Sequence, residues 1–272
     1  MRRGIVAAQL AAVAFAACSS FEGDDEATET RDAGTDTAAP AVPSDAGSVD
    51  ADPDSGPPSF CQQKESALFC DDFEQPGRTF ELAAPWDALT GERRLAVSIG
   101  PGYASTAAAR FAGMFGDGEG RGLQKVMPFE GRKIRWSFRL LVTKLDAFPD
   151  AGSPEVFFAA FQFANGRYLS YALSRQANGL RGTAVWNLDG TGGSGSFLTP
   201  PVGLRFNDWM DVRVEYEPLD GVDAFRFYVG DEMLSNLRLD PGDASTLSIG
   251  VSGKGAGALA NISYDDVVVE TF

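Results

Sequence analysis

Beyond residue 60, apolar and polar positions alternate along most of the chain. The clearest run is 132–143, where Ile134, Trp136, Phe138, Leu140 and Val142 interleave with Lys133, Arg135, Ser137, Arg139 and Leu141. Period two with one apolar side predicts a strand that buries one face. Residues 155–163 repeat the pattern through Phe157, Ala159, Phe161 and Phe163. Asn165-Gly166 then predicts a hairpin into 167–175, with Leu169, Tyr171 and Leu173 on one side. Asn178-Gly179 leads into 180–186, and a Gly-rich loop is expected at 189–196. Across 209–217, Val212, Val214 and Tyr216 alternate with Asp211, Arg213 and Glu215; Asp220-Gly221 turns into 224–229 with Phe225, Phe227 and Val229 inward. Shorter strands are expected at 69–74, 94–99, 107–111, 122–128, 246–252 and 261–270, and no stretch shows helical periodicity with caps. Many short strands with Gly-rich turns predict an all-β sandwich or barrel, with Trp136 and Trp209 in its core.

The first 59 residues break this pattern. Met1-Arg2-Arg3 is basic, and Gly4 to Ala17 is small or apolar except for Gln9. Fourteen residues are too few for a mature membrane span, so the segment reads as a secretory signal. Its end, Phe15-Ala16-Ala17-Cys18, resembles a bacterial lipoprotein lipobox, with Phe15 in the usual leucine position. The resemblance implies a signal peptide over 1–17, lipidation of Cys18 and, from Ser19, an outer-membrane destination. An ordinary secreted protein with an unmodified Cys18 is the alternative. Residues 18–59 read as a disordered tether: no aromatic stands between Phe21 and Phe60, and only Val42 and Val49 are larger aliphatics. Such a segment buries too little apolar surface to offset its ordering entropy.

Charge sharpens this division. The formal charge is −15; residues 19–59 contribute −10, and residues 60–272 carry −7. That balance argues against nucleic acid as a partner. The chain has no histidine, which excludes a Ser-His-Asp triad and a His-ligated zinc. Cys61 and Cys70 open the folded part; in an oxidising compartment they are expected to pair.

Two stretches carry a resemblance. Asp208-Trp209-Met210-Asp211-Val212-Arg213-Val214-Glu215-Tyr216, followed after a turn by Phe225-Arg226-Phe227-Tyr228-Val229-Gly230-Asp231, looks like a strand pair of the concanavalin A-like (LamG-like) jelly rolls. The opening Leu68-Phe69-Cys70-Asp71-Asp72-Phe73-Glu74 and closing Ile262-Ser263-Tyr264-Asp265-Asp266-Val267-Val268-Val269 fit first and last strands that pair in that superfamily. The resemblance implies a two-sheet antiparallel jelly-roll sandwich over 60–272, with glycan as the ligand class. Such folds often carry a structural calcium, for which Asp71, Asp72, Asp265 and Asp266 are the candidates. Exposed edge charges are the other reading of those residues, since consecutive strand residues face opposite sides.

The family's glucanase signature, Glu-x-Asp-x-Glu, has no counterpart in the domain; Glu22-Gly23-Asp24-Asp25-Glu26 lies in the tether. A lyase-like set is incomplete: Arg135 and Arg139 share a strand, with Gln162 and Tyr168 elsewhere and histidine absent. By alternation Arg135, Arg139, Gln162, Tyr168, Arg213, Arg226 and Tyr228 point away from the core, either onto one face or onto two. Trp186, ending a strand beside the Gly-rich stretch, joins them as a candidate ligand residue. Three functions follow: a non-catalytic, surface-anchored glycan-binding protein, a Tyr/Arg polysaccharide lyase, or a structural or protein-binding module.

Overall fold

The alternation translates into strands nearly everywhere it is strong. The computed structural model describes residues 58–272 apart from 77, 80–83, 92–95, 106, 117–118, 128, 130, 148–154, 164–165, 177–178, 189–190, 198–203, 241–243 and 255–257. The expected signal, the lipidation site Cys18 and most of the tether lie outside the described residues. A first sheet runs β13 (Glu232–Leu239), β12 (Asp223–Val229), β11 (Trp209–Glu217), β6 (Ile134–Ala147), β15 (Ala258–Thr271), β4 (Ala108–Phe115) and β3 (Ala96–Gly100), with β1 (Phe69–Asp71) also on β15. A second runs β10 (Thr191–Phe197), β9 (Gly179–Leu188), β8 (Tyr168–Gln176), β7 (Glu155–Phe163), β14 (Ala244–Lys254), β5 (Gly120–Val126) and β2 (Ala88–Gly91). Every ladder between them is antiparallel. The result is the two-sheet antiparallel jelly-roll sandwich that the sequence implied.

Aromatic rings from both inner faces fill the space between the sheets. Trp136 on β6 meets Phe161 on β7 edge-on at 5.3 Å, and Phe161 meets Phe225 on β12 at 5.6 Å. Tyr171 on β8 stacks on Phe227 at 4.7 Å. Burying such rings supplies both area and pairwise geometry. One polar tie crosses the core: the Tyr264 hydroxyl of β15 lies 2.7 Å from the Phe158 carbonyl and 2.5 Å from that of Gly250. Burial holds this phenol well above its usual pKa.

Two expectations are corrected here. The Gly-rich stretch is an edge strand, β10, rather than a loop. Glycine permits its pairing, because a Cβ at Gly193 would sit 2.5 Å from Trp186 Nε1 on the neighbouring strand. Trp209 faces outward, its ring 6.3 Å from that of Tyr103. Its neighbours Met210 and Val212 are the buried ones, as alternation from Val214 requires.

The chain closes on itself where the domain begins and ends. Phe69, Cys70 and Asp71 pair with Val269, Val268 and Val267. The Cys61–Cys70 disulfide staples the 3-10 turn Cys61–Gln63 to β1. Asp71 anchors the following segment: Arg78 donates to its two oxygens at 2.5 and 2.7 Å, Trp86 Nε1 at 2.6 Å and the Phe73 N–H at 3.0 Å.

Candidate functional site

The outer face of the second sheet is set by a bulge. On β7 the register shifts between Phe157 and Ala159. Val156 and Phe158 therefore point inward, as do Phe161 and Phe163 beyond the bulge, and all four are buried. Phe157, expected inward, instead lies on the outer side. The doublets Phe157-Phe158 and Ala159-Ala160 are the only sequence trace of this, since strict alternation cannot accommodate them.

A shallow hollow with a cavity volume of about 30 Å³, open to solvent, lies on this face. Its polar lining comes from Thr90 on β2, Gln124 on β5, Ser248 and Ser252 on β14, and Ser170 on β8; Phe157 and Ala160 of β7 complete it. Cross-strand register puts Gln124, Ser248, Ala160 and Ser170 in one row. Gly122 and Gly250 form part of the floor. A Cβ at Gly250, whose φ is +152°, would lie 2.3 Å from the Arg121 carbonyl oxygen, so this floor excludes larger residues. Ser252 is buried, and its hydroxyl has no hydrogen-bond partner. Arg121 is the one ionisable lining residue; its Nη1 donates to the Gly91 carbonyl at 2.9 Å.

Gln162 and Tyr168 belong to the same outer face. They are register partners, and Asn187 on β9 continues their row. Trp186, paired with the buried Leu169, lies on the other side of the sheet and packs against the core. It is therefore not brought to this face.

Arg135, Arg139 and Tyr228 lie on the outer face of the first sheet, away from Gln162 and Tyr168. There they are held by carboxylates. Arg135 donates to Glu215 at 3.2 Å, and the Tyr228 hydroxyl donates to the other Glu215 oxygen at 3.3 Å. The Arg213 guanidinium covers the Tyr228 ring at 4.2 Å. Desolvation, and then the Glu215 charge, push the Tyr228 phenol up. Arg139 pairs with Asp211 and lies over the Tyr103 ring at 4.2 Å. Hydrogen bonds from Lys133 and Arg226 hold Glu217 below the usual carboxylate range. This face carries a lattice of ion pairs.

The four calcium candidates do not form a ligand set. Asp71 is engaged by Arg78 and Trp86. Asp72 accepts from the Cys61 and Glu74 N–H groups. Asp265 accepts from the Tyr103 N–H at 2.8 Å, the Ser105 hydroxyl at 2.9 Å and the Asp266 N–H at 2.8 Å. Asp266 faces Arg139 at 3.9 Å. Among the described residues, no three Asp, Glu, His or Cys side chains are placed to hold a metal ion. These donors do not fit the expected calcium.

No family model and no curated protein sequence matches the chain. Solved structures match it only at low similarity. An alginate lyase from Klebsiella pneumoniae is 8% identical over 64% of this chain and 84% of its own, with a TM-score of 0.47. A carbohydrate-binding module from Bacillus subtilis is 10% identical over 64% of this chain and 92% of its own, with a TM-score of 0.41. The Emp46p carbohydrate recognition domain is 12% identical over 74% of this chain and 94% of its own, with a TM-score of 0.45. At this distance the likenesses bear on neither ligand nor reaction.

Proposed function

We propose that the protein is an exported, lipid-anchored, non-catalytic glycan-binding module whose ligand lies on the outer face of the second sheet. The observation that supports this reading is the cleft itself. Thr90, Gln124, Ser170, Ser248 and Ser252 line it beside the single aromatic ring of Phe157, and most of the surface it exposes is apolar. Sugars present hydroxyls along their edges and C–H groups on their faces, so a polar row with an aromatic flank matches both. The named lining contains no carboxylate, whereas glycoside hydrolysis needs a fixed pair. The lyase alternative requires Tyr168 or Tyr228 beside Arg135 or Arg139 in one cleft. Tyr168 is on the opposite sheet, and Glu215 stands between Tyr228 and Arg135.

Anchoring follows from the lipobox resemblance at Cys18, and the acidic segment 19–59 serves as its tether. A glycan-array screen of the complete chain tests the ligand class. Binding that is lost in Gln124→Ala and Phe157→Ala, with no ultraviolet absorbance from unsaturated products, is the expected result. Product absorbance would overturn the non-catalytic assignment. Silence across the array would leave a structural or protein-binding module.

A further inference from the structure

We infer that the Arg78 guanidinium does, at the seam of the first and last strands, the neutralising work expected of a structural calcium, so that the chain closes this seam with its own cation and folds without a divalent ion. The seam is crowded with acid. Asp71 is the register partner of Val267, which brings Asp71 and Asp72 to the strand that carries Asp265 and Asp266. Asp71, Asp72 and Asp265 are only 1%, 6% and 0% exposed. Carboxylates taken out of water need a cation or several hydrogen-bond donors.

The chain supplies both. Each Asp71 oxygen accepts two hydrogen bonds, which fills the capacity of a carboxylate: Arg78 Nη1 and the Phe73 N–H donate to Oδ1, and Arg78 Nη2 and Trp86 Nε1 donate to Oδ2. Asp72 takes the Cys61 N–H on one oxygen and the Glu74 N–H on the other. The Glu74 carboxylate accepts the Ala107 N–H at 2.7 Å. Asp265 takes the Tyr103 N–H and the Ser105 hydroxyl on Oδ2 and the Asp266 N–H on Oδ1. Calcium asks for about six to eight oxygens converging on one point. These oxygens are each turned to a different amide, hydroxyl, indole or guanidinium.

Arg78 suits the role by burial and by shape. Its side chain is 3% exposed and that of Asp71 is 0% exposed. Its two terminal nitrogens meet the two carboxylate oxygens in parallel, the geometry a guanidinium offers and an ammonium does not. Its central carbon lies 4.8 Å from the centroid of the buried Phe73 ring, which adds a cation–π contact. A guanidinium keeps its charge across the whole working pH range, and no chelator removes it. The contact fastens the segment after β1 to the strand pair, as the Cys61–Cys70 bridge fastens the segment before it.

Thermal unfolding of the complete protein tests this, in excess EDTA, in plain buffer and in millimolar calcium chloride, for wild type, Arg78→Met and Arg78→Lys. The wild-type midpoint is expected to agree within about 1 °C across the three conditions, since an ion that bound the folded state would raise it. Arg78→Met keeps the apolar bulk, loses the charge and strands Asp71; its midpoint is expected to fall by about 10 °C. Arg78→Lys keeps the charge and loses the paired geometry, and about half that fall is expected. A wild-type midpoint lowered by EDTA or raised by calcium would overturn the inference. So would an Arg78→Met midpoint equal to or above that of Arg78→Lys, because the guanidinium charge would then not be what holds the seam. Should Arg78→Met fail to fold, the wild-type series still decides the matter.

Discussion

Phe157 and Phe158 are chemically identical neighbours with opposite roles. Phe158 is 1% exposed and meets Phe138 at 6.5 Å and Phe227 at 6.1 Å, whereas Phe157 lines the cleft. Phe158→Ala is expected to destabilise the fold by about 3–5 kcal/mol through lost transfer energy and a cavity. Phe157→Ala is expected to leave the unfolding midpoint far less affected while weakening ligand binding. Urea denaturation and calorimetry on the two variants separate these effects. A second residue-scale consequence lies at Asp266, whose carboxyl is raised to about 6 by desolvation and then by the Asp265 charge, with Arg139 opposing and Asp72 and Asp211 adding to the rise. The folded state thus holds this proton more tightly than the unfolded chain does. Stability is therefore expected to fall as pH rises from about 4 to about 6, and this contribution is level above that window. Asp265, also raised by desolvation, acts in the same direction. Asp266→Asn should flatten part of the slope, read from urea midpoints across that range.

At the scale of the element, legibility followed the strength of alternation. The β6 and β11 runs were visible because each has one wholly apolar side, and the structure buries Ile134, Trp136, Phe138, Leu140, Val212 and Val214 accordingly. The edge strands β2 and β13 were not anticipated, since an edge buries too little to demand a strict pattern; every described position of β13 is at least partly exposed. β10 was hidden by its glycines, which weaken a strand by themselves but are needed opposite Trp186. The cleft was legible only in fragments. Gln162 and Tyr168 were placed on the right side by alternation, but the bulge that turns Phe157 outward depends on pairing with β8, which no local pattern encodes. Nor does alternation say which of two outer faces a polar residue occupies, and so Arg135, Arg139 and Tyr228 could not be separated from Gln162 and Tyr168. The pairing of Cys61 with Cys70 was legible from composition, and it is formed. Opening it by Cys70→Ser is expected to cost about 2–3 kcal/mol, measured by denaturation of oxidised wild type against the variant.

For the whole molecule, the two outer faces divide the chemistry. One is a lattice of ion pairs, among them Lys133–Glu217, Arg135–Glu215, Arg139–Asp211 and Arg226–Glu217. The other presents an almost uncharged cleft. Exposed ion pairs contribute little each, so the first face gives solubility and register more than stability. The proposed anchor adds a prediction at this scale: Cys18→Ser should move the protein from the membrane fraction to the soluble fraction of the cell envelope, followed by fractionation and immunoblot. It should leave ligand affinity unchanged, because every cleft residue lies beyond residue 89. The disulfide also sets a path for tension. A pull applied to the chain ahead of Cys61 enters Cys70 through the sulfur bridge and bypasses the residues between. From Cys70 it loads β1 directly against Val268 of β15. A domain held by its cleft and dragged by its amino-terminal end would therefore resist at the seam where its first and last strands meet, with the intervening loop kept slack.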